Sequence, residues 1–512
     1  MLTAIFGKKS DHPLAESKSV QVLLDDLPKN DAHRSLTELT DMVDTLFGNP
    51  EFRADHQFAI LKMLDEAAQP FVKKLAREYF TPFEINKFQE NRLWTVLSIW
   101  AGHVASGYLK LFTSYTNGEK GSSTIKSQLP LLATRTINAI MCEIKYISSR
   151  YGQVDNLTWV NLSHLYRHAE AHNYLDTKVS LYPGMPGNCT VKNELAVIMV
   201  WFDMSLPALS PLFIHLTERL IAQYRSALDV HTEVSPQSRI SFDLSRSAEP
   251  SRINMGSTTH PAMRFIGMPT MQARLEELMK VLKKNIVPDD INLGGKYEAE
   301  VVSQAAQYLL AYVAAPPVRR NARRAVSVNV NIVAGLGRIL ELLGGAKQSG
   351  EEPVQWVTED ISATGFSAVV PVRGNEGIGI GSLLGMQPER VPHWGVAVVR
   401  RLLRDDNNQL RVGSELLSNQ AATVILNENQ VPGGAIENGQ PALWLYSRQD
   451  DKAGTAQLLM KADTFSAGRS LQIKLNGKNY LLMPNELLEK GLDYDLAKFR
   501  FVVQEGTAEV AY

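Results

Sequence analysis

A cluster of arginines is the part of this sequence best suited to hold a phosphate or the edge of a base. The stretch PPVRRNARRAVSVNV, residues 316–330, contains Arg319, Arg320, Arg323 and Arg324. A guanidinium group donates paired hydrogen bonds and stays charged, so it suits phosphate oxygens and the acceptor edge of guanine. By itself such a cluster usually indicates a solvated basic turn. The arginines therefore indicate a binding site only if a second motif supports them.

A second motif lies in the stretch DISATGFSAVV, residues 360–370. The alternation of side chains along a strand places Asp360 and Ser362 on one side, and Gly365 indicates a bend. A carboxylate accepts hydrogen bonds, so it suits the N–H groups on the Watson–Crick edge of guanine. By itself this pattern is more typical of a turn whose side chains cap backbone groups. The two motifs together, in this order around a predicted strand, favour ligand binding.

The order of the two motifs resembles that of PilZ domains, which are bacterial receptors for cyclic di-GMP. An Arg-x-x-x-Arg segment precedes the predicted barrel, and Asp-x-Ser-x-x-Gly follows on a strand. The stretch WGVAVVRRLL…LRVGSELL, residues 394–417, is similar to the later strands of that family. The resemblance covers about 316–425. It implies a cyclic di-GMP ligand, no further cofactor and a part in second-messenger signal transduction.

The resemblance also implies a role for each arginine. Arg320 and Arg324 would hold the ligand's phosphates and the Hoogsteen edges of its guanines. The alternative register of the same pattern is Arg319 and Arg323.

For the second motif, the resemblance implies three further ligand-binding residues. Asp360 would accept hydrogen bonds from the N–H groups of a guanine, Ser362 would add a hydrogen bond, and Gly365 would permit the bend. About thirty-five residues separate Arg324 from Asp360, more than in the compact family pattern. The excess, GLGRILELLGGAKQSGEE at 335–352, predicts a helix and a loop inserted into the barrel.

The elements that must position these residues change in type along the chain. Helical spacing of apolar residues dominates from about 33 to 230, and the stretch WVNLSHLYRHAEAHNYL at 159–175 weakly resembles a tetratricopeptide-like helix, without a repeat of fixed period. Short β-branched stretches follow Pro316-Pro317. LNGKNY, near 475, has the Asn-Gly signal of a hairpin.

We therefore predict a multidomain α + β protein. A helical N-terminal domain precedes a PilZ-like, six-stranded antiparallel β-barrel with a helical insertion, and a second small β-barrel follows. The predicted divisions are an N-terminal tail (1–30), the helical domain (31–228), a linker or loop with a short strand (229–262), helices leading into the barrel (263–315), the PilZ-like barrel (316–432) and the second barrel-like domain (433–512).

Composition favours a soluble, cytoplasmic protein. The 512 residues are 44% hydrophobic and 21% charged, with a net charge of −1, so overall charge favours neither DNA nor a membrane surface. Cys142 and Cys189 lie far apart, which excludes a disulfide scaffold and a cysteine-based zinc site. The most apolar stretch, 195–216, contains Asp203 and two prolines, so we expect a buried helical core and no membrane span.

Two other patterns have a structural interpretation that outweighs the functional one. His164, His168 and His172 share a helix face, yet no carboxylate of matching spacing completes a metal motif, so packed or exposed histidines are expected. GIGIGS, residues 377–382, lacks the Lys-Ser/Thr of a phosphate loop and predicts a hairpin connection. No nucleophile–base pair is evident, so we expect no enzyme and no metal.

Two hypotheses of function follow. In the first, the chain is a cyclic di-GMP receptor: the arginine segment folds over the ligand, the domains reorient, and the helical domain binds a protein partner. In the second, the chain is a non-catalytic adaptor with a degenerate PilZ-like module, whose arginines bind a protein or RNA. RNA binding predicts a steep salt dependence and little preference for guanine.

Overall fold

The computed structural model describes residues 12–81, 86–185, 187–246, 248–253, 260–314, 324–345, 352–362, 364–428 and 439–504. The chain divides into two compact units, Met1–Pro317 and Val318–Tyr512. This division falls two residues from the predicted start of the barrel region at 316.

The first unit is built mainly from helices. Their N-termini follow residues that cap helices well: the side chain of Asp31 accepts from the N–H of Arg34 at 3.0 Å, and that of Asn86 accepts from the N–H of Gln89 at 2.8 Å. The helices are α1 (Ser17–Asp25), α2 (Ala32–Gly48), α3 (Ala54–Tyr79), α4 (Lys87–Thr116), α5 (Leu129–Ser148), α6 (Asn156–Ala171), α7 (Val191–Asp203), α8 (Pro211–Gln223), α9 (Met271–Leu282) and α10 (Ala299–Ala314).

Residues 195–216, which the sequence predicts to be a buried helical core and not a membrane span, lie in α7 and α8. Leu195 is 2% exposed, and Ile198 and Trp201 are fully buried among other helices of this unit. Within the described residues, no helix is long and apolar enough to cross a membrane. The predicted N-terminal tail contains α1, whose Val20 is buried in the same core.

A small antiparallel sheet belongs to the first unit, where the sequence predicts a linker with a short strand. Its order is β1–β4–β2–β3, and its strands are β1 (Asp229–His231), β2 (Ser238–Asp243), β3 (Ser251–Arg252) and β4 (Met263–Gly267). Ile240, Phe242 and Ile266 are buried in the core formed by the helices. The segment is therefore part of the folded helical unit, because one face of its sheet is apolar.

The second unit begins with a closed antiparallel barrel, as predicted. Its strands are β5 (Arg324–Ala325), β6 (Asn329–Ala334), β7 (Val354–Ser362), β8 (Gly365–Pro371), β9 (Leu383–Pro388), β10 (Gly395–Arg404) and β11 (Gln409–Ser418). Six of them form the ring β7–β6–β9–β10–β11–β8, which the β7–β8 pairing closes. The short β5 pairs with the end of β7. Phe366, Ala368 and Val412 are buried on the inward face.

The inserted helix α11 (Leu336–Leu343) is also present where the sequence predicts it. It packs against β6 and β9 of the barrel and against two strands of the second barrel, so these contacts lie away from Asp360 on β7.

The second barrel is likewise closed and six-stranded, in the order β12–β13–β14–β17–β16–β15. The Asn476-Gly477 pair turns β15 into β16 with φ angles of 50° and 77°, which confirms the predicted hairpin. The strands are β12 (Ala421–Glu428), β13 (Gln440–Leu445), β14 (Thr455–Lys461), β15 (Leu471–Leu475), β16 (Lys478–Lys490) and β17 (Tyr494–Gln504), with α12 (Arg448–Ala453) between β13 and β14.

The two barrels share an apolar interface. Leu383 and Val398 of the first barrel are fully buried in one cluster with Leu443 and Tyr494 of the second. The carboxylate of Asp493 accepts from the N–H of Leu336 at 2.6 Å and so caps α11. The second barrel is therefore joined to the outer face of the first at β9 and β10, whereas the predicted site lies on β7 and β8.

Candidate functional site

The arginine segment and the acidic motif meet on neighbouring strands. In the β5–β7 pairing Arg324 lies opposite Ile361, and Ala325 lies opposite Asp360. Arg324 and Asp360 therefore lie on neighbouring strands, and Ala325 is the residue directly opposite Asp360. The other predicted arginines, Arg319, Arg320 and Arg323, lie outside the described residues.

A β-bulge turns Asp360 outward. Thr358 pairs with Ala368 on the inward face, but Asp360 pairs with Ser367, so Glu359 is the extra residue of β7. Paired residues share a face of the sheet, and the bulge shifts the alternation by one residue. Asp360 therefore lies on the outer face of the barrel, where it is partly exposed.

Ser362 closes the β7–β8 hairpin. Its Oγ donates to the carbonyl of Gly365 at 3.2 Å and accepts from the N–H of Thr364 at 3.4 Å. This is the turn-capping role that the motif more often has. The hydroxyl retains one lone pair, so it can still accept a hydrogen bond from a ligand.

Gly365 is required by a close approach between strands. A Cβ at this position would lie 2.1 Å from the carbonyl oxygen of Ser414 on β11, closer than any side chain allows. Its φ is not in the left-handed region, and it is the first residue of β8. The glycine thus lets β8 and β11 pair closely directly beside Ser362, and its lack of a side chain leaves the outer face flat there.

Three ion pairs, made by two arginines, were not predicted from the sequence. Arg411 donates to both carboxylate oxygens of Glu359, at 3.0 and 3.3 Å. Arg400 donates through Nε to Glu415 at 2.7 Å, and through its two Nη atoms to Glu489 at 2.7 and 2.5 Å. The partners are separated by 15 to 89 residues along the chain, so no local pattern of the sequence indicates them.

The electrostatics of Arg400 follow from these contacts. Burial alone would lower the pKa of Arg400, but its hydrogen bonds to Glu489 and Glu415 raise it. Burial would raise the pKa of Glu489, and the hydrogen bond and charge of Arg400 lower it instead. Arg400 and Glu489 therefore stay ionised and mutually oriented.

A separate cavity of about 170 Å³ lies inside the helical unit. It is lined by apolar side chains and by a few charged ones, among them Asp65 and the buried ion pair of Lys145 with Glu218. Burial would raise the pKa of Glu218, but Lys145 lowers it to about 2. Burial lowers the pKa of His215, on the same wall, to about 3, so this imidazole is neutral.

Of the three histidines of α6 and its C-terminal end, His164 is exposed and the other two contact each other. His168 and His172 stack with ring centroids 4.0 Å apart, and Nδ1 of His168 is 2.7 Å from the hydroxyl of Tyr174. Among the described residues, no group of three histidine, cysteine or acidic side chains is arranged to hold a metal ion. The segment 377–382 lies in the connection from β8 to β9.

The chain was compared with known protein families. Residues 18–237, from α1 to the residue before β2, match a family model described as the N-terminal domain of the cyclic-di-GMP receptor FimW. Separate comparisons with curated proteins and with solved structures gave no match. The match of the helical unit thus supports the cyclic di-GMP receptor family that the sequence resemblance indicates. The match ends before the first barrel, whose likeness to PilZ domains stays a prediction.

Proposed function

We propose that this chain binds cyclic di-GMP on the outer face of the first barrel, at Asp360, Ser362 and Gly365. The observation that carries the proposal is the pairing of β5 with β7, which sets the arginine segment beside the acidic motif. The family match of the helical unit supports a dinucleotide ligand from a different part of the chain. The receptor is not catalytic in this proposal, and the ligand is its only cofactor-like molecule.

Each side chain has a distinct role in this proposal. The carboxylate of Asp360 accepts from N1–H and N2–H of a guanine. The hydroxyl of Ser362 accepts a further hydrogen bond, since its own proton is donated to Gly365. The arginines neutralise the two phosphates and contact the acceptor edges of the guanines.

Two pairs of arginines are the alternatives for these contacts, namely Arg320 with Arg324, and Arg319 with Arg323. In the β5–β7 register, Arg324 is exposed opposite Ile361, while Ala325 shares the face of Asp360. The two pairs share no residue, so mutation can test each pair separately.

In this proposal, the same segment also transmits ligand binding to the helical unit. It joins α10, which ends at Ala314, to β5, which begins at Arg324. Ligand bound to this segment changes the arrangement of the two units, and the helical unit then binds a protein partner in the bacterial cytoplasm. The ligand drives the change only by as much as it favours the new arrangement.

Isothermal titration calorimetry tests the proposal. Purified full-length protein is titrated with cyclic di-GMP, GTP and cyclic di-AMP, and the titration is repeated on Asp360→Ala, on Arg320→Ala/Arg324→Ala and on Arg319→Ala/Arg323→Ala. We expect selective binding of cyclic di-GMP at micromolar or lower Kd, lost in Asp360→Ala and in one of the two arginine double variants.

The adaptor hypothesis gives a different result in the same assay. No cyclic dinucleotide would bind, and an RNA oligonucleotide would bind with a steep salt dependence and without preference for guanine. That result would overturn the proposal.

A further inference from the structure

One row of residues on the outer face of the first barrel runs from the acidic motif to the second barrel. Cross-strand pairing places Ser362 opposite Gly365, Gly365 opposite Glu415, Glu415 opposite Val398, and Val398 opposite Leu383. Because paired residues share a face, these five residues lie side by side across the strands β7, β8, β11, β10 and β9.

The exposure of this row changes abruptly along it. Leu383 and Val398 are fully buried beneath the second barrel, in the cluster that contains Tyr494. The next residue, Glu415, has a side chain that is 50% exposed. Beyond it, Gly365 leaves the face without a side chain. The second barrel thus covers the row as far as Val398, whereas Glu415, Gly365 and Ser362 lie outside the covered part.

Glu415 is held in place from the second barrel. Nε of Arg400 donates to Oε2 of Glu415 at 2.7 Å, and the two Nη atoms donate to both oxygens of Glu489 on β16. The hydroxyl of Tyr494, which is fully buried, donates to Oε1 of Glu489 at 2.8 Å. These hydrogen bonds hold the carboxylate of Glu415 in one orientation. Without them, the long side chain of a surface glutamate would be free to rotate.

A bulge in β10 makes this geometry possible. Val399 pairs with Ser414 and Arg401 pairs with Gly413, so Arg400 is the extra residue between them. A bulge changes the direction of a side chain, and here it lets one guanidinium reach carboxylates of both barrels.

We infer that Glu415 recognises the second guanine of the dinucleotide and that Arg400 is its positioning residue. The inference rests on the proposed function, because it takes the ligand to lie against Asp360. Asp360 on β7 and Glu415 on β11 lie two strands apart and are only slightly displaced along the strand direction. Their backbones are therefore roughly 10–12 Å apart. Each presents acceptors to the N1–H and N2–H donors of one guanine. Adenine would set its N1 lone pair against the same carboxylate, which is repulsive.

Glu359 provides a matched control. It is an exposed carboxylate on the same outer face, it is paired with Arg411 much as Glu415 is paired with Arg400, and it directly precedes Asp360. Glu359→Gln and Glu415→Gln therefore make the same change in charge at neighbouring ion pairs, and only the second removes a carboxylate from the row that contains Gly365.

The test compares cyclic di-GMP with cyclic GMP–AMP, in which one guanine is replaced by adenine, on the full-length chain. We expect the wild-type protein to prefer cyclic di-GMP. In Glu415→Gln the affinity for cyclic di-GMP falls by roughly tenfold or more and approaches that for cyclic GMP–AMP, since hydrogen bonds to a charged group are lost. Glu359→Gln keeps the wild-type affinities. Arg400→Lys, which lacks the planar fork that donates to Glu415 and to both oxygens of Glu489, reduces the preference while the thermal unfolding transition stays cooperative.

Three results would overturn the inference. Wild-type affinity and preference in Glu415→Gln, with binding lost in Asp360→Ala, would leave the proposed function standing and remove Glu415 from the site. An equal loss in Glu359→Gln would show a general effect of charge. Failure of the wild-type protein to bind cyclic di-GMP would overturn the proposed function, and this inference with it.

Discussion

Gly365 shows how one residue serves both the fold and the candidate site. The closeness of β8 to β11 excludes a Cβ at this position, and the resulting flat surface lies between Ser362 and Glu415. A motif glycine with such a role stabilises the barrel whether or not a ligand binds. Its effect on stability and its effect on binding must therefore be measured separately.

Gly365→Ala should destabilise the second unit. The added methyl group would lie 2.1 Å from the carbonyl oxygen of Ser414, so the strands must separate, at a cost of about 1–3 kcal/mol in the free energy of unfolding. Chemical denaturation followed by circular dichroism measures this loss. The control is Gly377→Ala, where a Cβ meets no atom within 4 Å. Equal stability of the two variants would contradict the close approach of β8 and β11.

His215 makes the stability of the helical unit depend on pH. The side chain is buried, its Nε2 donates to the carbonyl of Leu293 at 2.8 Å, and its pKa is lowered to about 3. Unfolded histidine has a pKa of about 6.5. The unfolded chain therefore binds a proton that the folded chain does not, and the stability supplied by neutral His215 is lost as the pH falls below about 6.5.

The expected slope for this histidine is about 1.4 kcal/mol of unfolding free energy per pH unit between pH 6 and 5. Glu218 does not interfere, because its own shift, from 4.5 to about 2, acts at lower pH. Unfolding experiments from pH 7 to pH 5 should show a smaller loss of stability in His215→Phe than in the wild-type protein. Parallel curves for both proteins would disprove a buried neutral His215.

At the scale of elements, the pairing of β5 with β7 is the feature on which the site depends. The sequence predicts both segments, the barrel strands and the inserted α11, because each has a local signal: β-branched alternation, an Asn-Gly turn or helical spacing. It does not predict the sheet of β1 to β4 between residues 229 and 267. Those strands are only two to six residues long and are rich in serine and arginine, so the apolar face becomes evident only where Ile240 and Ile266 pack on helices.

The part of the candidate site that the sequence does not predict has a similar cause. Gly365 and Glu415 are separated by 50 positions in the chain but are direct neighbours across two strands. Arg400 and Glu489 are still farther apart and meet only because the second barrel packs on the first. The spacing of residues in a motif shows which residues share a strand. Which side chains meet between strands depends on the strand order of the barrel and on the packing of the two barrels, and motif spacing does not show either.

The arginine pairs give a prediction at this scale. Under the Arg320/Arg324 register, Arg320→Ala/Arg324→Ala should reduce cyclic di-GMP affinity at least tenfold more than Arg319→Ala/Arg323→Ala, since charged hydrogen bonds to phosphate are strong. The opposite order would assign the ligand to the alternative register. Equal and negligible effects of the two double variants on calorimetric affinity would contradict any role of the segment.

For the whole molecule, the segment between α10 and β5 connects the proposed site to the helical unit. If ligand bound to this segment changes the arrangement of the two units, small-angle X-ray scattering of the full-length chain should show a different distance distribution in saturating cyclic di-GMP. Asp360→Ala, mixed with the same ligand concentration, should give the curve of the free protein. Identical curves for free and saturated wild-type protein would contradict reorientation and would leave binding itself unaffected.

Hydrogen–deuterium exchange with and without cyclic di-GMP tests the central claim most directly, because it reports where the ligand lies. The experiment distinguishes the outer face of the first barrel from the cavity beside His215 in the helical unit. We predict slower exchange of backbone amides in the arginine segment, in β5 and at the β7–β8 turn, and no comparable change around α5 and α8. Protection confined to the helical unit, or no protection in any part of the chain, would contradict the account.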